Sequence, residues 1–301
     1  MKFLLSHQID TERWDRIVDQ SPNGRIYGYS WYLGGLADNW GALIEGDYEY
    51  IMPLPYSRKY GVYYSFLPPY VQQIGVYSDR KEITSEAYAR FFHSIPPKIR
   101  LVDIGVSFAK EELLAKRYDT RKRTNLILEM NRPYEEIEKG FSRNVRRIIR
   151  DTSFSYRLIE DFEDLSGIVS TYQKDVLEDA LIPGVYHQRL LHVATIAKEK
   201  NQLLPLKLLD ADDKLLASFL FFTSHGRVYS IAGGQTKHGR KLHATYLLMN
   251  EFFKRYSQRY SLFDFEGSDI PGVAEFFKKW GGVPEYYSRV RFSRFPVNLL
   301  K

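Results

Sequence analysis

No cysteine occurs anywhere in the chain. That excludes disulfide staples, thiolate metal sites and a cysteine nucleophile, and it suits a reducing compartment without requiring one. Long apolar runs are also missing. No stretch approaches the roughly 18–20 consecutive apolar residues that a membrane helix needs. The opening MKFLLSHQIDTERW turns polar at Ser6 and His7, too early for the apolar region of a secretory leader. The expectation is a soluble, cytoplasmic protein without membrane insertion. A strong charge of one sign is absent: 43 Lys and Arg stand against 37 Asp and Glu, a net charge of +6. Such a balance permits a phosphate-rich partner without demanding one. Low-complexity tracts and solenoid repeats are absent too. So are a zinc-protease His-Glu-x-x-His and a Gly-x-Ser-x-Gly elbow. The pairs His187/His192 and His238/His243 are five residues apart, a spacing that does not stack two ligands on one helical face, so no metal site is expected.

Aromatic residues are plentiful, with 23 Tyr and 19 Phe. Tyrosines in this number suit a core with polar tips, or clefts lined by rings. At 301 residues the length suggests two domains of about 150 residues each. In the first half, residues 11–20, 29–39 and 82–94 read as helices. Trp40–Ile44 and Tyr48–Met52 flank a Glu-Gly-Asp turn and read as a hairpin. Pro53 and Pro55 are expected to break the second strand or place it at an edge. Strands follow at 60–67, 100–106 and 123–129, with Arg121-Lys122-Arg123 as a loop tip. Residues 133–151 carry Pro near the first turn, acids at the start and arginines at the end. That order matches a helix and its dipole, and it makes a natural bridge between halves. The second half repeats the plan: helices at 161–178 and 187–200, strands at 203–210, 215–223 and 227–233, a helix at 243–256, a strand at 261–265, a short helix at 272–280 and a last strand at 286–292. The domain expectation is therefore 1–133, a connecting helix over 134–151, and 152–301.

Residues 233–248, GGQTKHGRKLHATYLL, place a glycine loop and a basic cluster between a strand and a helix. This is a common way to hold phosphate. The spacing nearly fits a triphosphate loop, but Arg240 stands where that motif needs Lys, and Lys241 where a hydroxyl must bind magnesium. A triphosphate loop is excluded on that ground. An anion cradle survives, built from Gly233, Gly234, Gln235, Lys237, Gly239, Arg240 and Lys241 and from the expected free N–H groups of the 243–256 helix. The competing reading is a solvated basic loop with glycines for turn geometry.

The tail decides the broader reading. In SLFDFEGSDIPGVAEFFKKWGGVPEYYSRVRF, the elements Asp264-Phe265-Glu266-Gly267, Gly272-Val273, Phe277-Lys278 and Trp280-Gly281 resemble the closing segment of the FemABX-like branch of the GNAT acyltransferase superfamily. Trp40–Leu43, Met52-Pro53-Leu54-Pro55, Pro68-Pro69-Tyr70 and Gln72-Gln73-Ile74-Gly75 resemble the first GNAT-like domain of such proteins. The resemblance implies an α/β (α+β) fold of two tandem GNAT-like domains, each a mixed, largely antiparallel sheet flanked by helices, with a cleft between. It implies transfer of an acyl or aminoacyl group to an amine, such as a small molecule or a cell-wall precursor. The donor is a co-substrate and not a tightly bound cofactor: acyl-CoA, as in ordinary GNAT enzymes, or aminoacyl-tRNA, which would make tRNA a partner. The ordinary pyrophosphate motif is broken here, because Gln235 is followed by Gly only at 239 and no second Gly or Ala falls two later.

Amine acylation needs a base, oxyanion donors and alignment. Asp264 and Glu266 would alternate on one strand face about 6–7 Å apart, as base and amine anchor. They equally fit a water-facing loop cap. A glycosidase pair has only aromatics to support it. By resemblance, Lys278 contacts the donor phosphate or carbonyl; otherwise it is a surface lysine beside Lys279. Tyr286 is a candidate phenol for the leaving group. Tyr70 and Gln72 are candidate substrate contacts from the first domain. Arg147, on one helical face with Arg143 and Arg150, is a candidate grip on the acceptor or on RNA. The alternative in another class is a GNAT-like binding module that has kept its cleft and lost its chemistry.

Overall fold

The computed structural model describes residues 1–80, 82–107, 114–176, 182–267, 269 and 271–295. In chain order the elements are β1 Lys2–Leu5, α1 Thr11–Gln20, α2 Ser30–Leu36, β2 Asn39–Glu45, β3 Tyr50–Lys59, β4 Val62–Phe66, α3 Ser85–His93, β5 Ile99–Val106 and β6 Asp119–Glu129. They continue with α4 Tyr134–Lys139, α5 Arg143–Arg150, β7 Tyr156–Glu160, α6 Leu165–Val176, α7 Val185–Glu199, β8 Leu203–Asp210, β9 Leu215–Ser224 and β10 Arg227–Gln235. The last are α8 Lys237–Lys241, α9 Ala244–Tyr256, β11 Leu262–Asp264, α10 Pro271–Lys278 and β12 Val283–Ser293.

The chain divides into two compact units, Met1–Arg123 with Tyr286–Lys301, and Thr124–Glu285. Both use one topology. In the first unit β1, β2, β3 and β4 form an antiparallel meander, β5 joins β4 in parallel, and β12 closes antiparallel on β5. In the second, β7, β8, β9 and β10 form the meander, β11 joins β10 in parallel, and β6 closes antiparallel on β11. Each parallel step needs a crossover, and helices supply it: α3 in the first unit, α8 and α9 in the second. The closing strand of each unit comes from the other half of the sequence. This is why the division falls inside β6 and β12, whereas the sequence suggested a break around 134–151.

That expected connecting helix is two helices within the second unit. Ser142 caps α5 by accepting the Val145 N–H, and its own N–H donates to the Lys279 carbonyl at 2.8 Å. A chain turned outward to reach Lys279 cannot continue the α4 ladder. Ile137, Phe141 and Val145 are buried, so both helices pack into the core. Two further expectations are corrected, a break of the strand at the prolines and a loop tip at 121–123. Strand β3 runs through Pro53 and Pro55. The Ile51 N–H points away from β2, to the Tyr77 carbonyl. Alternation puts both prolines' missing donors on that side, where β4 pairs only with Ser57–Lys59. The basic run 121–123 lies within β6 and is no loop tip. Strands β1 and β7, both short, were not anticipated. The final positions of the expected 161–178 helix lie outside the described residues.

The second unit's core is aromatic. Phe252 packs on Phe221, Phe263, Phe253 and Tyr256 at ring separations of 4.7–5.6 Å. Trp280 closes the far side against Phe141 and Phe253. Spacing along α9 dictates this: Ala244, Leu248 and Phe252 follow at four-residue intervals, and all three are buried. In the first unit Trp14 and Trp40 meet edge to face at 5.5 Å.

Candidate functional site

The second unit is where the sequence placed an anion cradle. Strand β10 pairs with β9 along its whole length, with an irregularity between Ser230 and Ala232. Its parallel partner β11 is in register only from Arg227 to Tyr229. From Ser230 to Gln235, β10 continues without β11 beside it. The Thr236 N–H goes to Leu216 on the β9 side, whereas the Gln235 N–H points the other way. Alternation places the Gly233 N–H on the same side as Gln235's. A bulged strand that diverges from a parallel neighbour thus offers backbone donors at the end of the sheet.

A cavity of about 1180 Å³ lies there, lined by Thr171, Lys174 and Asp175 of α6, by Leu215, and by Gln235, Thr236, Lys237, Arg240 and Lys241. Four of the predicted cradle residues are therefore brought together: Gln235, Lys237, Arg240 and Lys241. The three glycines serve packing. A Cβ on Gly239 would sit 2.0 Å from the Leu216 carbonyl oxygen, and one on Gly233 would meet the Phe219 ring. A Cβ on Gly234 would press on the backbone of Thr171 and Tyr172, so this glycine lets α6 lie close on β10. The basic residues form a helix of their own. Thr236 caps α8 by accepting the Gly239 N–H at 2.9 Å. The expected run from loop straight into the 243–256 helix is corrected accordingly. His243, at φ 56°, starts α9, and the Thr245 N–H reaches Gln235 Oε1. Lys241 also lines a neighbouring cavity of about 300 Å³ together with Arg147 and His243. Arg147 Nη2 donates to Asn144.

The candidate carboxylates separate. Strand β11 ends at Asp264, and Glu266 follows with φ 63°, so the two do not alternate on a strand as expected. Asp264 is fully buried. Its Oδ2 takes Arg227 Nη1 at 2.7 Å and its Oδ1 takes the Glu266 N–H at 2.9 Å. Arg227 also reaches both oxygens of Glu285, at 2.8 and 2.9 Å. Burial would lower the Arg227 guanidinium, but Glu285 and Asp264 overcome it and hold the group above its usual value. Glu266 is half-buried. Lys278 is exposed and pairs with Glu275 at 3.0 Å. In the first unit, Tyr286 is exposed with Lys122 3.5 Å over its ring. The Tyr70 carbonyl accepts from the Tyr32 hydroxyl. Gln72 lines a cavity of about 420 Å³ with Asp103, Arg123, Tyr287 and Arg289.

Sequence reasoning missed Arg227, Glu285 and the whole contribution of α6. Among the described residues, no group of three or more His, Asp or Glu could hold a metal ion. No helix there is long and apolar enough to cross a membrane.

The acetyltransferase (GNAT) domain family matches residues 137–279, nearly all of the second unit. This segment is a GNAT acyltransferase domain. The whole chain shares its fold with FemX at 12% identity and a TM-score of 0.67, covering 96% of this chain and 97% of that one. It is also similar to a conserved protein of unknown function from Bacteroides thetaiotaomicron, at 13% identity, TM-score 0.64 and coverage of 95% and 97%. The structure of L-PGS from Bacillus licheniformis is similar at 10% identity, TM-score 0.59 and coverage of 96% and 94%. Curated protein sequences give no match. The likeness bears out the expected α/β fold class, and the matched segment includes the residues that line the large cavity.

Proposed function

We propose that the second unit is the transfer site of an N-acyltransferase that takes its acyl group from a CoA thioester. The observation that carries this reading is the divergence of β10 from β11 after Tyr229, opening beside a large cavity with four cationic side chains. A thioester donor is long, amide-bearing and polyanionic. Its amides suit the strand donors of Gly233 and Gln235, in the manner of an added strand. Its phosphates suit Lys174, Lys237, Arg240 and Lys241. The substrate amine attacks the thioester carbonyl directly. The C–N bond forms, the C–S bond breaks, the electron pair leaves with sulfur and the amine proton passes to a base.

For that base we choose Glu266. Asp264 is the weaker candidate, since Arg227 and the Glu266 N–H already engage its two oxygens. Asp264 then acts as a positioning residue that shapes the turn carrying Glu266. Lys278 keeps the role that resemblance gave it, a contact to the donor phosphate or carbonyl, whereas Gln72 and Tyr286 lie in the first unit. An aminoacyl ester on tRNA would use the same direct attack, and a binding module would use the cavity without turnover.

The test is thiol release from acetyl-CoA across a panel of amines. Transfer that falls by about 10²-fold or more in Glu266→Gln, with unchanged melting, supports the reading. Transfer only from charged tRNA would move the donor. No turnover from any donor, with CoA still bound, would make the protein a binding module.

A further inference from the structure

Among the described residues that line the large cavity, Asp175 is the only carboxylate, facing Lys174, Lys237, Arg240 and Lys241. It is not a bystander. Its Oδ2 accepts the Gln235 backbone N–H at 3.0 Å, and its Oδ1 takes Nη2 of Arg240. These two donors, one from the open edge of β10 and one from α8, belong to the set that would receive a donor phosphate. The side chain is 11% exposed, whereas that of Arg240 is 64% exposed. The carboxylate is thus seated inside the site, and the guanidinium folds over it from solvent.

Asp175 is carried by α6. The Gln235 N–H and Arg240 balance the charge of this largely buried carboxylate. The close approach that Gly234 permits brings Asp175 within reach, since a Cβ there would lie 3.1 Å from the Cβ of Asp175.

We infer that the Asp175 carboxylate is a built-in occupant of the anion position, and that an anionic donor binds by displacing it from Gln235 and Arg240. This deepens the donor reading above and rests on the same cavity. Before binding, the intramolecular carboxylate competes with phosphate. On binding, Arg240 turns to the ligand and Asp175 is released. Affinity is scaled down to the fraction of molecules in which Asp175 has left the position. The contact therefore sets a threshold that a singly charged anion meets poorly and a polyphosphate overcomes.

The experiment is calorimetric titration of pyrophosphate and of CoA into the wild type, Asp175→Asn, Arg240→Gln and the double variant, at one fixed salt concentration. Asparagine keeps the shape and can still accept the Gln235 N–H, so folding is checked only by a matching melting curve. The expected result is about tenfold tighter binding of both anions by Asp175→Asn. The gain should vanish in the Arg240→Gln background, because the competition is for Arg240. Equal or weaker binding by a folded Asp175→Asn overturns the inference and makes Asp175 an ordinary orienting partner of Arg240. If CoA binds neither protein but pyrophosphate binds the variant more tightly, the inference stands and the thioester reading falls. If neither anion binds any of the four proteins, the inference falls as well.

Discussion

Replacing Arg227 by methionine removes one cation from between two carboxylates. The side chain of Arg227 is 9% exposed, that of Asp264 0% and that of Glu285 24%. Methionine fills most of the volume, so the loss is chiefly electrostatic. Glu285 retains access to water and a contact from Asn125 at 3.2 Å. Asp264 has no access to water and keeps the Glu266 N–H. Leaving a buried charge without its partner costs about 3–5 kcal/mol. For a unit of this size, roughly 2–4 °C of melting temperature accompany each kcal/mol, so the fall should be on the order of 10 °C. Urea denaturation and calorimetry measure both quantities. A second substitution isolates the cause. Asp264→Asn in the Arg227→Met background removes the stranded charge and should restore more than half of the lost stability. A double variant no more stable than Arg227→Met, or a loss below about 1 kcal/mol for the single change, would refute the claim that this pair is a tightly coupled buried unit.

Two further perturbations probe the walls of the site. Gly239→Ala should destabilise the second unit by about 2–3 kcal/mol in urea, despite alanine's better helix propensity, because its Cβ would meet the Leu216 carbonyl at 2.0 Å; a neutral or stabilising result would show that α8 shifts freely. Lys207, nearly buried, donates to Asp161 at 2.8 Å and Asp164 at 2.6 Å, and so fixes the start of α6. Lys207→Met should cost roughly 2 kcal/mol at pH 7, less than a fully buried pair because Asp164 is half exposed. Hydrogen bonds from Lys207 hold both aspartates below the usual carboxylate range. Their stabilising effect is therefore complete above about pH 4 and is lost as pH falls through the depressed values. The stability gap between wild type and variant should narrow below that pH; a gap constant from pH 7 to pH 3 would contradict the assignment.

Periodic patterns carried most of the fold. Residues 11–20 and 243–256 were legible because one face of each is apolar at the right spacing, and the structure buries those faces. The repeated order of helices, hairpin strands and strand–helix–strand was legible for the same reason. The exchange of β6 and β12 was not. Strand pairing across more than 130 residues leaves no local trace, and both strands look like ordinary alternating segments. The single helix expected over 133–151 failed on one residue, since Ser142 caps a new helix as readily as it sits within an old one. At the site, the basic cluster after β10 was visible as composition. The acid that meets it comes from α6, some 60 residues earlier, a separation that leaves no local trace. The pairing of Asp264 with Glu266 was misjudged because a strand was assumed to continue where an Asp side chain turns the backbone.

The central claim is that the open edge of β10 and the adjoining helix α8 receive the acyl donor. Amide hydrogen exchange over Ser230–Leu242, with and without saturating acetyl-CoA, tests it most directly. Slower exchange at Gly233, Gln235 and the first turn of α8, with the meander β7–β9 unchanged, is the predicted result. Unchanged exchange throughout Ser230–Leu242 under demonstrated acetyl-CoA binding would place the donor elsewhere and contradict the account.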